Sequence, residues 1–196
     1  MSAHGSYQKP ARYTMVAILL HWLIALGISA LIVIGLVMTQ LKISPTLEWK
    51  LFQLHKSIGI TVLLLVVLRI LWRVTHRPPP LPADMPALDK GAAHGLHWLL
   101  YLFMIGMPLT GWAVVSSSPF NLPTVLYNLV PWPDLPILPT LANKAAVSHV
   151  LGWVHAYGSW ILIGVLVVHI GAALQHHFIK RDTILGRMIP GLGRRA

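Results

Sequence analysis

His155 and His169 stand fourteen residues apart inside one long apolar run that begins near Trp153. At 100° per residue on a helix, fourteen steps return to within about 40° of the starting direction, so both imidazoles leave the same face. At ~1.5 Å per residue they lie roughly 21 Å apart along the axis, near opposite faces of a hydrocarbon layer about 30 Å thick. Titratable groups at such depths are costly and mark functional paths. Neutral imidazole can ligate a metal, relay a proton or bond to a neighbouring helix. Which of these applies depends on what the two histidines face.

The chain around them is built for a membrane. Of 196 residues, 56% are hydrophobic and only 10% charged, where a soluble domain carries about a quarter charged. Four apolar runs are long enough to cross, at about 14–38, 51–74, 94–115 and 150–174. We therefore expect an all-α integral membrane protein, one four-helix bundle over residues 1–196. Five prolines between Thr75 and Lys90 exclude a continuous helix there, and Pro108 lies inside the third span. The segment Ser116 to Ala146 holds six prolines and is apolar without being able to span, so it should lie over one bundle end. Cysteine is absent, which excludes thiolate metal sites, iron–sulfur ligation and disulfides.

Four spans put both termini on one side of the membrane. That side carries Lys9, Arg12, Arg69, Arg73, Arg77, Lys90, Lys180, Arg181, Arg187, Arg194 and Arg195. The other side carries Lys42, Lys50, Lys56 and Lys144. The positive-inside rule then predicts that both termini are cytoplasmic. The net charge of +10 follows the ends of the apolar runs, so it argues for a membrane surface and against nucleic acid.

Orientation assigns each histidine a depth. His21, early in the first span, and His169, late in the fourth, share the cytoplasmic-side level. His55 and His155 both follow entry from the opposite face and share the outer level. Two interhelical pairs result, with the fourth helix supplying one member of each. Bis-imidazole ligation of two stacked haems accounts for this pattern, since iron in a haem accepts one histidine on each face. The expected iron ligands are His21 with His169 on the cytoplasmic side and His55 with His155 on the outer side. Arg69 and Arg73, one turn apart, suit the propionates of the inner haem, and Lys56 those of the outer. Gly27, Gly35, Gly59, Gly158, Gly164 and Gly171 offer close approach to a porphyrin plane. His97, beside His94, competes for the inner iron or contacts a propionate, quinone or headgroup. His149, His176 and His177 are read as interfacial, and Trp22, Trp153 and Trp160 as porphyrin contacts or ordinary packing.

In order and spacing these residues resemble the bacterial cytochrome b561 family. The resemblance rests on His21-Trp22, then His55-Lys-Ser-Ile-Gly59 with Arg69 fourteen residues after His55, and His94-Gly-Leu-His97 with Tyr101. It also includes the His155 to His169 spacing and His176-His177 before the tail. It implies two b-type haems in the bacterial inner membrane, ligation by His21, His55, His155 and His169, and electron exchange with the quinone pool. One activity it implies is oxidation of periplasmic superoxide with ubiquinone as acceptor. Lys42, Lys50, Lys56 and Lys144 would then form a cationic mouth that steers the anion. A redox protein is the other donor class. Two rival readings stand beside this one: a cytochrome b subunit anchoring a dehydrogenase or hydrogenase, and a histidine-lined metal or proton transporter. All five acidic residues fall outside the four apolar runs, which disfavours the transporter.

Overall fold

A computed structural model describes residues 12–83 and 85–189. Lys9, Arg194 and Arg195, three of the cations used for orientation, lie outside these residues. Four long helices dominate: α1 (Met15–Gln40), α2 (Pro45–Thr75), α3 (Ala87–Ser116) and α4 (Lys144–Phe178). Each is long and apolar enough to cross a membrane. The shortest, α1 with 26 residues, is about 39 Å long at ~1.5 Å per residue.

The helices outrun the apolar windows read from the sequence, because helical hydrogen bonding continues until a cap or a proline stops it. The second helix starts six residues before its apolar run. There Pro45 occupies the first turn, and the Ser44 hydroxyl accepts from the Leu47 amide at 3.3 Å. Thr14 caps α1 in the same way, accepting from the Ala17 amide at 3.3 Å. The fourth helix extends both ways, carrying His149 and His176-His177 as helical residues.

Packing pairs α1 with α2 and α3 with α4, and α2 joins the two pairs through α3. The fourth helix makes no comparable backbone approach to α1 or α2. The interior core is Ile24, Ile28, Val62, Val66, Leu100, Leu162 and Val165. On α4 the core residues fall between His155 and His169, and on α1 and α2 they follow His21 and His55. A dry apolar layer therefore separates two histidine levels. Gly27 allows the α1–α2 approach, since a Cβ there would stand 2.5 Å from Val62 Cγ2.

The connection between α3 and α4 departs from an all-α bundle. It folds a two-stranded antiparallel hairpin, β1 (Thr124–Leu126) and β2 (Val130–Trp132), with Leu126 opposite Val130. Tyr127 (φ 53°) and Asn128 (φ 58°) are both left-handed, and the Leu129 amide bonds Leu126 O at 2.9 Å. Two positive φ angles are what an I′ turn requires, here without glycine. The hairpin does not only cover the bundle end, as expected; its tip descends along α2. The Tyr127 amide donates to Ser57 Oγ at 2.9 Å, and its hydroxyl lies 2.7 Å from Thr61 Oγ1. Tying down these backbone groups is a condition for non-helical chain near membrane depth. We call this end of the bundle the hairpin end and the opposite one the terminus end.

Candidate functional site

The structure brings the four singled-out histidines together in two pairs. His55 of α2 faces His155 of α4 with ring centroids 6.2 Å apart and planes at 74°. His21 of α1 faces His169 of α4 at 6.3 Å and 68°. Both pairs cross from α4 to helices whose backbones α4 does not closely approach, so the side chains meet over an internal gap.

That gap fits a metal held between two imidazoles. Two metal–nitrogen bonds of ~2 Å, plus roughly 1 Å from each nitrogen to its ring centroid, give a separation of about 6 Å. Both pairs have it. At the hairpin end the space is also large: a cavity of about 430 Å³ is lined by His55, His155, Gly35, Gly111, Phe52 and Trp160, among others. Cofactor pockets occupy ~300–1,000 Å³. The residues therefore fit a haem. Among the described residues His55 Nδ1 is buried without a partner, whereas His155 Nδ1 lies 3.1 Å from Thr110 Oγ1.

Glycines line this site selectively. A Cβ on Gly35 would be 3.6 Å from His55 Cε1, and one on Gly111 would be 3.1 Å from His155 Cε1. Gly158 packs against Met107 Sδ, while a Cβ on Gly59, Gly164 or Gly171 would meet nothing within 4 Å. Of the six glycines proposed for porphyrin approach, Gly35 and Gly59 line the cavity, Gly35 beside the His55 ring. Gly111 and Thr110, which touch His155, were not singled out for it in the sequence. A residue's facing partner on another helix leaves no local pattern.

The terminus end carries more charge and a third imidazole. His97 of α3 lies 5.7 Å from His169, centroid to centroid. Arg69 donates from Nη1 to Ala17 O at 3.2 Å, one turn before His21, and from Nε to the Tyr101 hydroxyl at 3.3 Å, one turn after His97. Arg73 places its guanidinium 5.7 Å from the Tyr101 ring centroid. Both arginines thus converge on Tyr101. A pocket of about 40 Å³ at this end is lined by Arg12, Arg69, Arg73, Arg77 and Tyr101.

The lysines do not form one open mouth. Lys42 and Lys50 are exposed. Lys56 is only 9% exposed, donates to Pro123 O at 3.0 Å and sits over the Phe52 ring at 5.0 Å. It fastens the hairpin to α2 and is withdrawn from any steering surface. Lys144 bonds Asn121 Oδ1 at 2.7 Å. Trp153 donates to His149 Nε2 at 3.1 Å and stacks on Tyr157, so these residues form a ladder along exposed α4 rather than a second centre. Trp22 donates to Met188 O at 2.9 Å, pinning the segment after α4. His176 pairs with Asp182 in that same segment.

Comparisons with known proteins agree with this architecture. The chain is 34% identical to cytochrome b561 homolog 2 of Escherichia coli K12 over 181 residues, covering 92% of each chain. It is 28% identical to the probable superoxide oxidase CybB of Yersinia pestis over 181 residues, 91% of this chain and 96% of the other. It is also 29% identical to cytochrome b561 homolog 1 of E. coli K12 over 138 residues, 69% of this chain and 73% of that one. The family model described as prokaryotic cytochrome b561 matches residues 12–191. With four helices fit to span and imidazoles facing across the bundle, the chain belongs to the prokaryotic cytochrome b561 family, the multi-pass membrane b-type cytochromes.

Proposed function

We propose that this protein is a dihaem electron carrier of the bacterial inner membrane, with both termini cytoplasmic, oxidising superoxide at the outer face and delivering electrons to the quinone pool. The observation that carries the reading is the pair of matched interhelical separations, 6.2 Å for His55–His155 and 6.3 Å for His21–His169. His55 and His155 would hold the outer haem, and His21 and His169 the inner one. A haem bound there would supply reversible one-electron storage. Donor and acceptor then react at the exposed edges of the sites.

Residues divide the remaining tasks. Arg69 and Arg73 neutralise propionates at the inner site, with Tyr101 fixing their direction. Lys42 and Lys50 raise the potential near the outer site and draw an anion towards it. The core around Val62, Val66 and Leu162 keeps water out of the space between the two levels. Two superoxide anions lose one electron each and leave as dioxygen; one quinone gains both electrons and two protons and leaves as quinol. The superoxide-oxidase name of the Yersinia relative supports this donor.

The test is a visible spectrum of the purified protein with haem quantitation, followed by rapid mixing with superoxide. Two low-spin b haems per chain, reduced by superoxide and reoxidised by added ubiquinone, are expected. One haem per chain would end the dihaem reading, and no reduction by superoxide would end the donor assignment.

A further inference from the structure

We propose that Thr110 is a positioning residue for the hairpin-end haem, fixing the His155 imidazole with Nδ1 protonated and lowering the redox potential of that site. The proposal rests on the dihaem reading above and concerns a residue that makes no contact with iron itself.

The argument starts from one hydroxyl. Thr110 Oγ1 lies 2.9 Å from Met107 O and 3.1 Å from His155 Nδ1. A hydroxyl has a single hydrogen, and Met107 O, which can only accept and is also a backbone partner of the His155 ring, takes it in the arrangement we propose. The oxygen then presents lone pairs to His155, and the second contact is a hydrogen bond only when Nδ1 carries the hydrogen. Nε2 is left with the free lone pair, the nitrogen a metal needs.

A second contact holds the same ring. Gly111 comes so close to His155 that an added Cβ would stand 3.1 Å from Cε1. Consecutive residues of α3 therefore grip the imidazole, one by hydrogen bond and one by backbone proximity. The opposing imidazole shows no such support, since His55 Nδ1 is buried without a partner among the described residues. The two imidazoles of the hairpin-end site are thus chemically unequal. A hydrogen-bond acceptor on the distal ring nitrogen makes the ligand more basic, and second-shell partners of this kind change affinity or activity by 10–100-fold. A more basic ligand favours oxidised iron, so the hydroxyl pulls the potential down.

The experiment is a redox titration of the haem-loaded protein, followed in the visible band, with electron paramagnetic resonance of the oxidised form. His55→Ala, which should keep only the terminus-end haem, assigns each potential to its site. Thr110→Val removes the hydroxyl at constant shape. It should raise the hairpin-end midpoint by about tenfold in the reduced-to-oxidised ratio at fixed potential, about 59 mV for one electron. It should also alter that site's low-spin resonance and leave the terminus-end potential at its wild-type value. Thr110→Ser should restore both signals. Loss of the hairpin-end haem in the valine variant with retention in the serine variant would also support the proposal. Wild-type potentials in Thr110→Val, equal shifts at both sites, or failure of serine to restore would overturn it. A wild-type protein with one haem overturns the dihaem reading instead, and a His155→Ala variant that keeps two overturns the assignment of His155 as a ligand.

Discussion

The two histidine pairs have nearly the same separation but very different surroundings. At the hairpin end, His55 and His155 face each other across a cavity of about 430 Å³ with glycine at each ring. Among the described residues no third imidazole pairs with them. At the terminus end, His169 has two neighbours, His21 at 6.3 Å and His97 at 5.7 Å, with Arg69 one turn away. Geometry alone thus selects the partners at the hairpin end. At the terminus end it leaves two candidates, and bundle topology must decide between them. The same difference suits opposite tasks: an open, weakly charged site for a small diffusing donor, and a cationic site for propionates and a larger acceptor.

Removing the shared helix's ligands tests this comparison with the largest effect. His155→Ala and His169→Ala should each reduce haem content from two to one per chain, and the double variant should bind none. Haem quantitation on protein purified in mild detergent measures it. If His169→Ala lost both haems, the two ends would be one cooperative unit and the contrast between them would fail.

The crowded end gives a sharper test. His21→Ala should lose the terminus-end haem, while His97→Ala should keep it with a shifted potential. The reverse result would make α3, not α1, the partner of α4 at that end, and the α1 histidine would become the neighbour. Spectra of the two single variants, recorded beside the wild type, separate these outcomes.

Backbone approach provides a smaller effect within the open end. Gly111→Ala puts a methyl 3.1 Å from His155, a ring already fixed by Thr110. Gly35→Ala puts one at 3.6 Å from His55, an ordinary contact. Overpacking costs ~1–3 kcal/mol, so Gly111→Ala should lower hairpin-end haem occupancy severalfold. Gly35→Ala should be near wild type. Equal behaviour of the two would mean that His155 is not held more rigidly than His55.

These contrasts also separate what the sequence carries from what it does not. Four helices, two histidine levels and the facing of His55 and His155 follow from periodicity and span order, because a helix converts spacing into depth and direction. The role of Lys56 did not follow. Beside His55 it resembles a haem or substrate cation; it does line the cavity, and its ammonium also donates to Pro123, 67 residues away. The hairpin was equally hidden. Its turn uses Tyr127 and Asn128 where glycine would have signalled it, and its anchors Ser57 and Thr61 belong to an apolar helix. His97 illustrates a third limit, since depth alone cannot rank two imidazoles at one level. Contacts between distant segments decided the first two.

The weakest expected effect concerns the charges that distinguish the ends for a diffusing anion. Lys42 and Lys50 are exposed at the hairpin end, while Lys56 and Lys144 bond to the hairpin connection itself. Two free lysines are a modest field, screened over ~8 Å at physiological ionic strength. The double variant Lys42→Glu, Lys50→Glu should therefore slow haem reduction by superoxide only about threefold, well below the 10–10³ range of strong steering. The wild-type rate should fall as salt is added, and the variant rate should rise, because repulsion is screened as attraction is. Arg77→Glu, at the opposite end, should leave both the rate and its salt dependence unchanged. Stopped-flow traces at three ionic strengths would read this out. A double variant with the wild-type salt slope would remove the lysines from the path and place anion entry elsewhere on the hairpin end.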